Sequence, residues 1–148
     1  MMRSMMAVVG AALAVAFAAA PAYAAEHVVQ MMSRGTDGTP MVFEPAYLRI
    51  AAGDTVRFVP AQPGHNAESI EGMVPPGAQP FKNPFNVETV VTFTVEGVYG
   101  YKCLPHYGMG MVGVIQVGAP VNLDAAKAVT HAGRAGEVFA TLLGQAAP

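Results

Sequence analysis

The six residues Thr55–Pro60, TVRFVP, put Val56 and Phe58 on one face of an extended chain and Thr55 and Arg57 on the other. Successive side chains of a strand point to opposite faces, so the alternation describes a strand with one packed side and one wet side. The run Val90–Val95, VVTFTV, repeats the pattern, with Val91, Phe93 and Val95 opposing Thr92 and Thr94. Working outward from these two, the β-rich runs are Val28–Ser33, Ala46–Ala51, Gly100–Cys103 and Val112–Gly118, and a short strand can be placed at Ala67–Ile70. Turn residues separate them at Thr36-Asp37-Gly38-Thr39, Ala52-Gly53-Asp54 and Glu96-Gly97. The pattern predicts an all-β fold, a two-sheet sandwich of about eight strands.

Two regions break this rhythm. Between Ala61 and Val87 the chain carries Pro63, Pro75, Pro76, Pro80 and Pro84, and it reads as long surface loop on a rigid scaffold. After Pro120 the period becomes helical. Asn122 is a suitable N-cap for Leu123–Val129, and a second short helix spans Glu137–Leu143, where Val138 with Leu142 and Phe139 with Leu143 make apolar i,i+4 pairs. Residues 120–148 are thus expected to form a helical C-terminal extension packed on the sandwich.

The first 24 residues have a different character. Arg3 precedes the uncharged run Ala7–Ala20, and the small-residue triplet Ala22-Tyr23-Ala24 follows Pro21. This is the form of a secretory signal peptide cleaved after Ala24, and the apolar run is shorter than the roughly 20 residues of a spanning helix, so no membrane anchor is expected. Residues 25–148 then form one domain, large enough to close a core without staples. The formal charge of −2 offers no basic excess for nucleic acid.

Export sharpens the meaning of the single cysteine, since a compartment that oxidises thiols favours cysteines in pairs. Cys103 opens the stretch CLPHYGMGM, in which His106 and Met111 follow within nine residues and Gly108 and Gly110 let the chain turn back between two β-runs. A thiolate, an imidazole and a thioether are soft or borderline donors, and two His with one Cys and a weak axial Met make the ligand set of a blue-copper electron-transfer centre. The missing imidazole must come from His27, His65 or His131. His65, in the loop Pro63-Gly64-His65-Asn66 after the strand Thr55–Pro60, is best placed. Spacing alone does not choose between Met109 and Met111 as the thioether. A structural zinc site would want more cysteine, and a catalytic one carboxylates or further histidines. A Cys103–His106 nucleophile pair lacks an orienting acid.

CLPHYGMGMVGVIQVG, together with MVFEPAYLRIAAGDTVRFVP and GHNAES, resembles the pseudoazurin family of bacterial blue-copper proteins over essentially all of residues 25–148. The resemblance implies a cupredoxin-like Greek-key β-sandwich with two short C-terminal helices and one copper ion cycling between Cu(I) and Cu(II). It places the metal ligands on His65, Cys103, His106 and Met111, with Met111 as the axial thioether. It implies that the backbone amide of Asn66 donates to the Cys103 sulfur; Pro105 has no N–H to give. It implies an electron-transfer and docking patch around His106 formed by Met41, Pro60, Gly64, Pro105 and Met109, with Lys82 and Lys102 from the family's ring of lysines. Pro63 and Gly35 stand where two further lysines are expected, so steering of acidic partners should be weaker. The implied role is a monomeric periplasmic electron carrier, not an enzyme, taking electrons from a cytochrome-type donor and passing them to copper nitrite reductase or a similar denitrification enzyme. A copper-binding or copper-delivery protein is the alternative.

Overall fold

A computed structural model describes residues 23–148. The expected leader falls on residues 1–24, most of it outside the described residues. The strands in chain order are β1 (Glu26–Arg34), β2 (Pro40–Glu44), β3 (Tyr47–Ile50), β4 (Thr55–Pro60), β5 (Glu68–Ser69), β6 (Thr89–Thr92), β7 (Gly97–Lys102) and β8 (Val112–Val117). A 3₁₀ turn, Leu104–Met109, joins β7 to β8, and the helices α1 (Leu123–Lys127) and α2 (Ala135–Leu143) follow.

The strands form two four-stranded sheets, ordered β2-β1-β4-β6 and β3-β8-β7-β5. Both are mixed: β1 runs parallel to β4 and β3 parallel to β8, while the other neighbours are antiparallel. The wet face of β4 behaves as its alternation predicts, for Arg57 bonds Glu26 on β1 at 2.8 Å and also bonds Glu88. Val56 and Phe58 on its other face are fully buried.

The main core lies between the sheets. Phe43, Phe58 and Phe81 surround Tyr101, with ring centroids 4.7, 5.3 and 6.2 Å away. Burying one such side chain contributes about 1.5–3 kcal/mol. Tyr101 lies across its partner Gly113 on β8, where an added Cβ would come within 2.2 Å of its ring. Only glycine fits under that ring.

β8 is buried on both faces, which is why it reads as an almost continuous apolar run and not as an alternation. Ile115 and Val117 face the core between the sheets, while Val112 and Val114 join Phe139, Leu142 and Leu143 under the helices. The C-terminal helices thus cover the outer face of the second sheet.

Some local expectations shift. β6 ends at Thr92, because Phe93 turns its backbone to the Gly53–Asp54 turn: its N–H donates to Asp54 O at 3.0 Å and its carbonyl accepts from Gly53 N at 2.7 Å. β2, which the strand reading passed over, pairs antiparallel with β1. Asn122 makes no side-chain cap on α1. Its amide instead pairs with both backbone groups of Val98, accepting from the N–H at 2.7 Å and donating to the carbonyl at 2.9 Å. The edge of β7 has no strand beside it there, and a buried backbone pair must be satisfied by something.

Candidate metal centre

β4 ends at Pro60, and the loop that follows carries His65 back over the end of the sandwich. Gly64 takes the left-handed conformation (φ 96°) that this reversal requires. Asn86 holds the loop from the side: its Oδ1 accepts from Gly64 N at 2.5 Å, and its own N–H donates to His65 O at 3.0 Å.

The second half of the site comes from the β7–β8 connection. Cys103 directly follows β7, His106 lies in the 3₁₀ turn, and Met111 precedes β8. The turn closes on itself, Cys103 N donating to Met111 O at 3.0 Å and Met111 N to His106 O at 3.2 Å. Gly110, at φ 89°, ends it.

These segments bring three donor atoms together. Cys103 Sγ lies 3.7 Å from His65 Nδ1 and 3.5 Å from His106 Nδ1. All three lie within 4.8 Å of one another, and among the described residues no second such group of His, Cys, Asp or Glu occurs. A first-row metal ion bound at about 2.0–2.3 Å to nitrogen and sulfur in one trigonal plane separates its donors by about 3.5–3.8 Å. The sulfur–nitrogen edges therefore already have the size such an ion needs. Met111 is fully buried in the same cluster as Cys103, whereas Met109 is 46 % exposed. The available set is one thiol, two imidazoles and a thioether, which is softer than zinc sites prefer and suits copper.

Residues 29–118 match the family of copper binding proteins described as the plastocyanin/azurin family. The pseudoazurin of Paracoccus pantotrophus is 51% identical to this chain over 118 residues, covering 79% of this chain and 81% of its own. The chain belongs to the pseudoazurin family. The pseudoazurin of Methylorubrum extorquens is 48% identical over 126 residues, 84% of each chain. The crystal structure of native pseudoazurin from Hyphomicrobium denitrificans superposes with a TM-score of 0.80 at 43% identity, covering 83% of this chain and 99% of that one. As a member of the family the chain is a blue-copper electron carrier, which uses one copper ion as Cu(I) and Cu(II) and meets its redox partners transiently. No helix among the described residues is long and apolar enough to cross a membrane.

Burial favours the neutral forms of Cys103 and His65 before metal arrives. Burial raises the Cys103 thiol above its ordinary value, offset in part by the nearby backbone N–H groups of Asn66 and His106. Burial, and then the facing His106, lower the His65 imidazole. A neutral imidazole is a ready ligand, and a bound cation would draw the proton from the thiol.

The remaining expected residues fall as follows. Met41 and Met109 line one small cleft with Phe43, Gly110, Arg134 and Val138. Pro60 is half-buried, Gly64 and Pro105 are exposed, and His106 is half-buried. Lys82 is exposed, whereas Lys102 Nζ faces Glu68 at 3.8 Å and lies 4.9 Å from the centroid of the Tyr107 ring.

Ser33, Asn86 and Glu68 support the site without having been legible in the sequence. Ser33 Oγ lies 2.9 Å from His65 Nε2 and fixes that ring. A serine ending a β-run carries no sign of what it will face across the sandwich. Asn86, in the left-handed conformation at φ 62°, had a weak signal, since asparagine tolerates that conformation better than most residues.

Proposed function

We propose that residues 25–148 are one exported domain in which His65, Cys103, His106 and Met111 hold the copper of a periplasmic electron carrier. The observation that carries this reading is the meeting of His65 with Cys103 and His106 at 3.5–3.7 Å, at the end of a rigid sandwich. The copper supplies the one-electron couple; the chain supplies a geometry that need not change between its two states. Asn66 contributes a backbone N–H to the sulfur, and Pro105 withholds one.

His106 is the exit for the electron, since His65, Cys103 and Met111 are fully buried and His106 alone is partly open. Around it Met41, Pro60, Gly64, Pro105 and Met109 form an apolar docking patch suited to brief contact. Lys82 offers a steering charge at its margin, and Lys102 a weaker one because it already faces Glu68. The carrier acts as a monomer, receives electrons from a cytochrome-type donor and passes them to copper nitrite reductase or a similar acceptor. It performs no catalysis of its own: four histidines in the whole chain do not build the extra copper centres of an oxidase.

The test is reconstitution of residues 25–148 with Cu(II). The expected result is an intense visible thiolate-to-copper band, reversible one-electron voltammetry and loss of the band in His65→Ala. A band untouched by that substitution would overturn the ligand assignment. A copper-delivery protein would instead hold exchangeable Cu(I) and surrender it to an acceptor. Stopped-flow mixing of the Cu(I) form with purified nitrite reductase checks the acceptor.

A further inference from the structure

Glu68 is only 8 % exposed, although β5 has just two residues and forms an edge of its sheet. A carboxylate in such a place requires partners, because burial penalises its charge. It has two. Oε2 accepts from Asn66 Nδ2 at 3.1 Å, and Oε1 faces Lys102 Nζ at 3.8 Å from the directly opposed position on β7.

Both partners lead to the metal centre. Asn66 directly follows His65, and its Oδ1 accepts from Leu104 N, the residue after Cys103, at 2.8 Å. Lys102 directly precedes Cys103 and rests against the ring of Tyr107, which follows His106. An unbroken chain of contacts thus runs from Lys102 through Glu68 and Asn66 to the Cys103 loop, and it ties together the two segments that bring His65 and Cys103 into contact.

We propose that Glu68 and Lys102 are positioning residues of the copper centre, fixing Asn66 against the Cys103 loop and biasing the copper potential with opposite signs. The proposal rests on the ligand set given above. The Cu(II) centre carries one more positive charge than the Cu(I) centre, so a nearby carboxylate favours the oxidised form and a nearby ammonium the reduced form. The field of Glu68 acts at short range, since only the Asn66 side chain stands between its carboxylate and the Cys103 loop. Exposure does not cancel it, since the Glu68 and Lys102 side chains are only 10% and 23% exposed.

Voltammetry of the copper-loaded protein tests this with Glu68→Gln, Lys102→Gln and the double variant. Glutamine keeps an oxygen for Asn66 Nδ2 while removing the charge. Glu68→Gln is expected to raise the potential, moving the Cu(II)/Cu(I) ratio at fixed applied potential toward Cu(I) on the order of fivefold. Lys102→Gln is expected to lower it by a similar factor, and the double variant to return near the parent value. Two single variants that shift the same way, or neither of which shifts, would overturn the proposal, because loosening of Asn66 alone has no reason to change sign. Should Glu68→Gln fail to fold, Lys102→Gln decides alone: a potential unchanged or raised refutes the charge bias. Failure of the ligand assignment is read separately, from the response of the visible band to His65→Ala.

Discussion

Ser33 Oγ stands 2.9 Å from Nε2 of His65, a ring with no exposed surface. This contact leaves Nδ1 as the nitrogen that faces Cys103, the orientation the proposed copper site requires. Ser33→Ala would leave Nε2 buried and without that partner. A loss of about 1–3 kcal/mol in the urea stability of the copper-free protein is expected, the cost of orphaning a buried polar group. Copper affinity should fall about tenfold or more, read by competition with a chelator. Unaltered affinity would show that the ring is held by packing instead.

The copper-free protein should be most stable between pH 6.5 and pH 9. The His65 pKa lies below its ordinary 6.5, through burial first and His106 second, so unfolding takes up a proton as the pH falls below 6.5 and stability declines. His131, lowered by burial, acts in the same direction. The Cys103 thiol lies above its ordinary 9.0, through burial first, so unfolding releases a proton as the pH rises past 9 and stability declines again. Urea midpoints measured across that range should describe a plateau with two falling shoulders. Copper loading should remove the alkaline shoulder and steepen the acid one, because the ligated groups carry no proton in the folded protein and take theirs up on unfolding. A monotonic profile would contradict these assignments.

The two methionines of the loop should separate cleanly. Met109 is 46 % exposed and Met111 fully buried beside Cys103. Met109→Leu should leave the visible spectrum of the copper protein unchanged and alter only the rate of reaction with partners. Met111→Leu should change both the spectrum and the potential, since Met111 is the proposed axial ligand and an axial ligand tunes them. Equal spectroscopic effects of the two substitutions would remove Met111 from the ligand set.

At the other end of the chain, Ala25 N lies 2.8 Å from Asp54 Oδ1, and His27 Nε2 lies 2.9 Å from Asp54 Oδ2. Cleavage after Ala24 would turn that backbone nitrogen into an α-ammonium group and the contact into a charge-assisted one. A copper-free chain beginning at Ala25 should therefore unfold at a higher urea midpoint than one beginning at Ala24, with an unfolding constant about fivefold smaller. The difference should vanish in the Asp54→Asn background. Identical midpoints for the two chains would leave Asp54 as a turn residue only.

The amino-acid order by itself determined what is local. The alternation in Thr55–Pro60 places Val56 and Phe58 inside because side chains two apart must share a face, and the structure buries both fully. Cys103, His106 and Met111 come from one turn between two strands, so their neighbourhood follows from spacing. Long-range pairing decided the rest. His65 is 38 residues from Cys103, and Ser33 is 32 from His65. Whether these meet depends on β1 running parallel to β4 in one sheet while β7 and β8 lie in the other. The same cause explains Asn122, whose side chain pairs with the open edge of β7 instead of capping its helix, and Glu68, whose burial follows from lying opposite Lys102. Periodicity reports which side of a strand faces the core, but only the packing of the two sheets specifies what stands opposite.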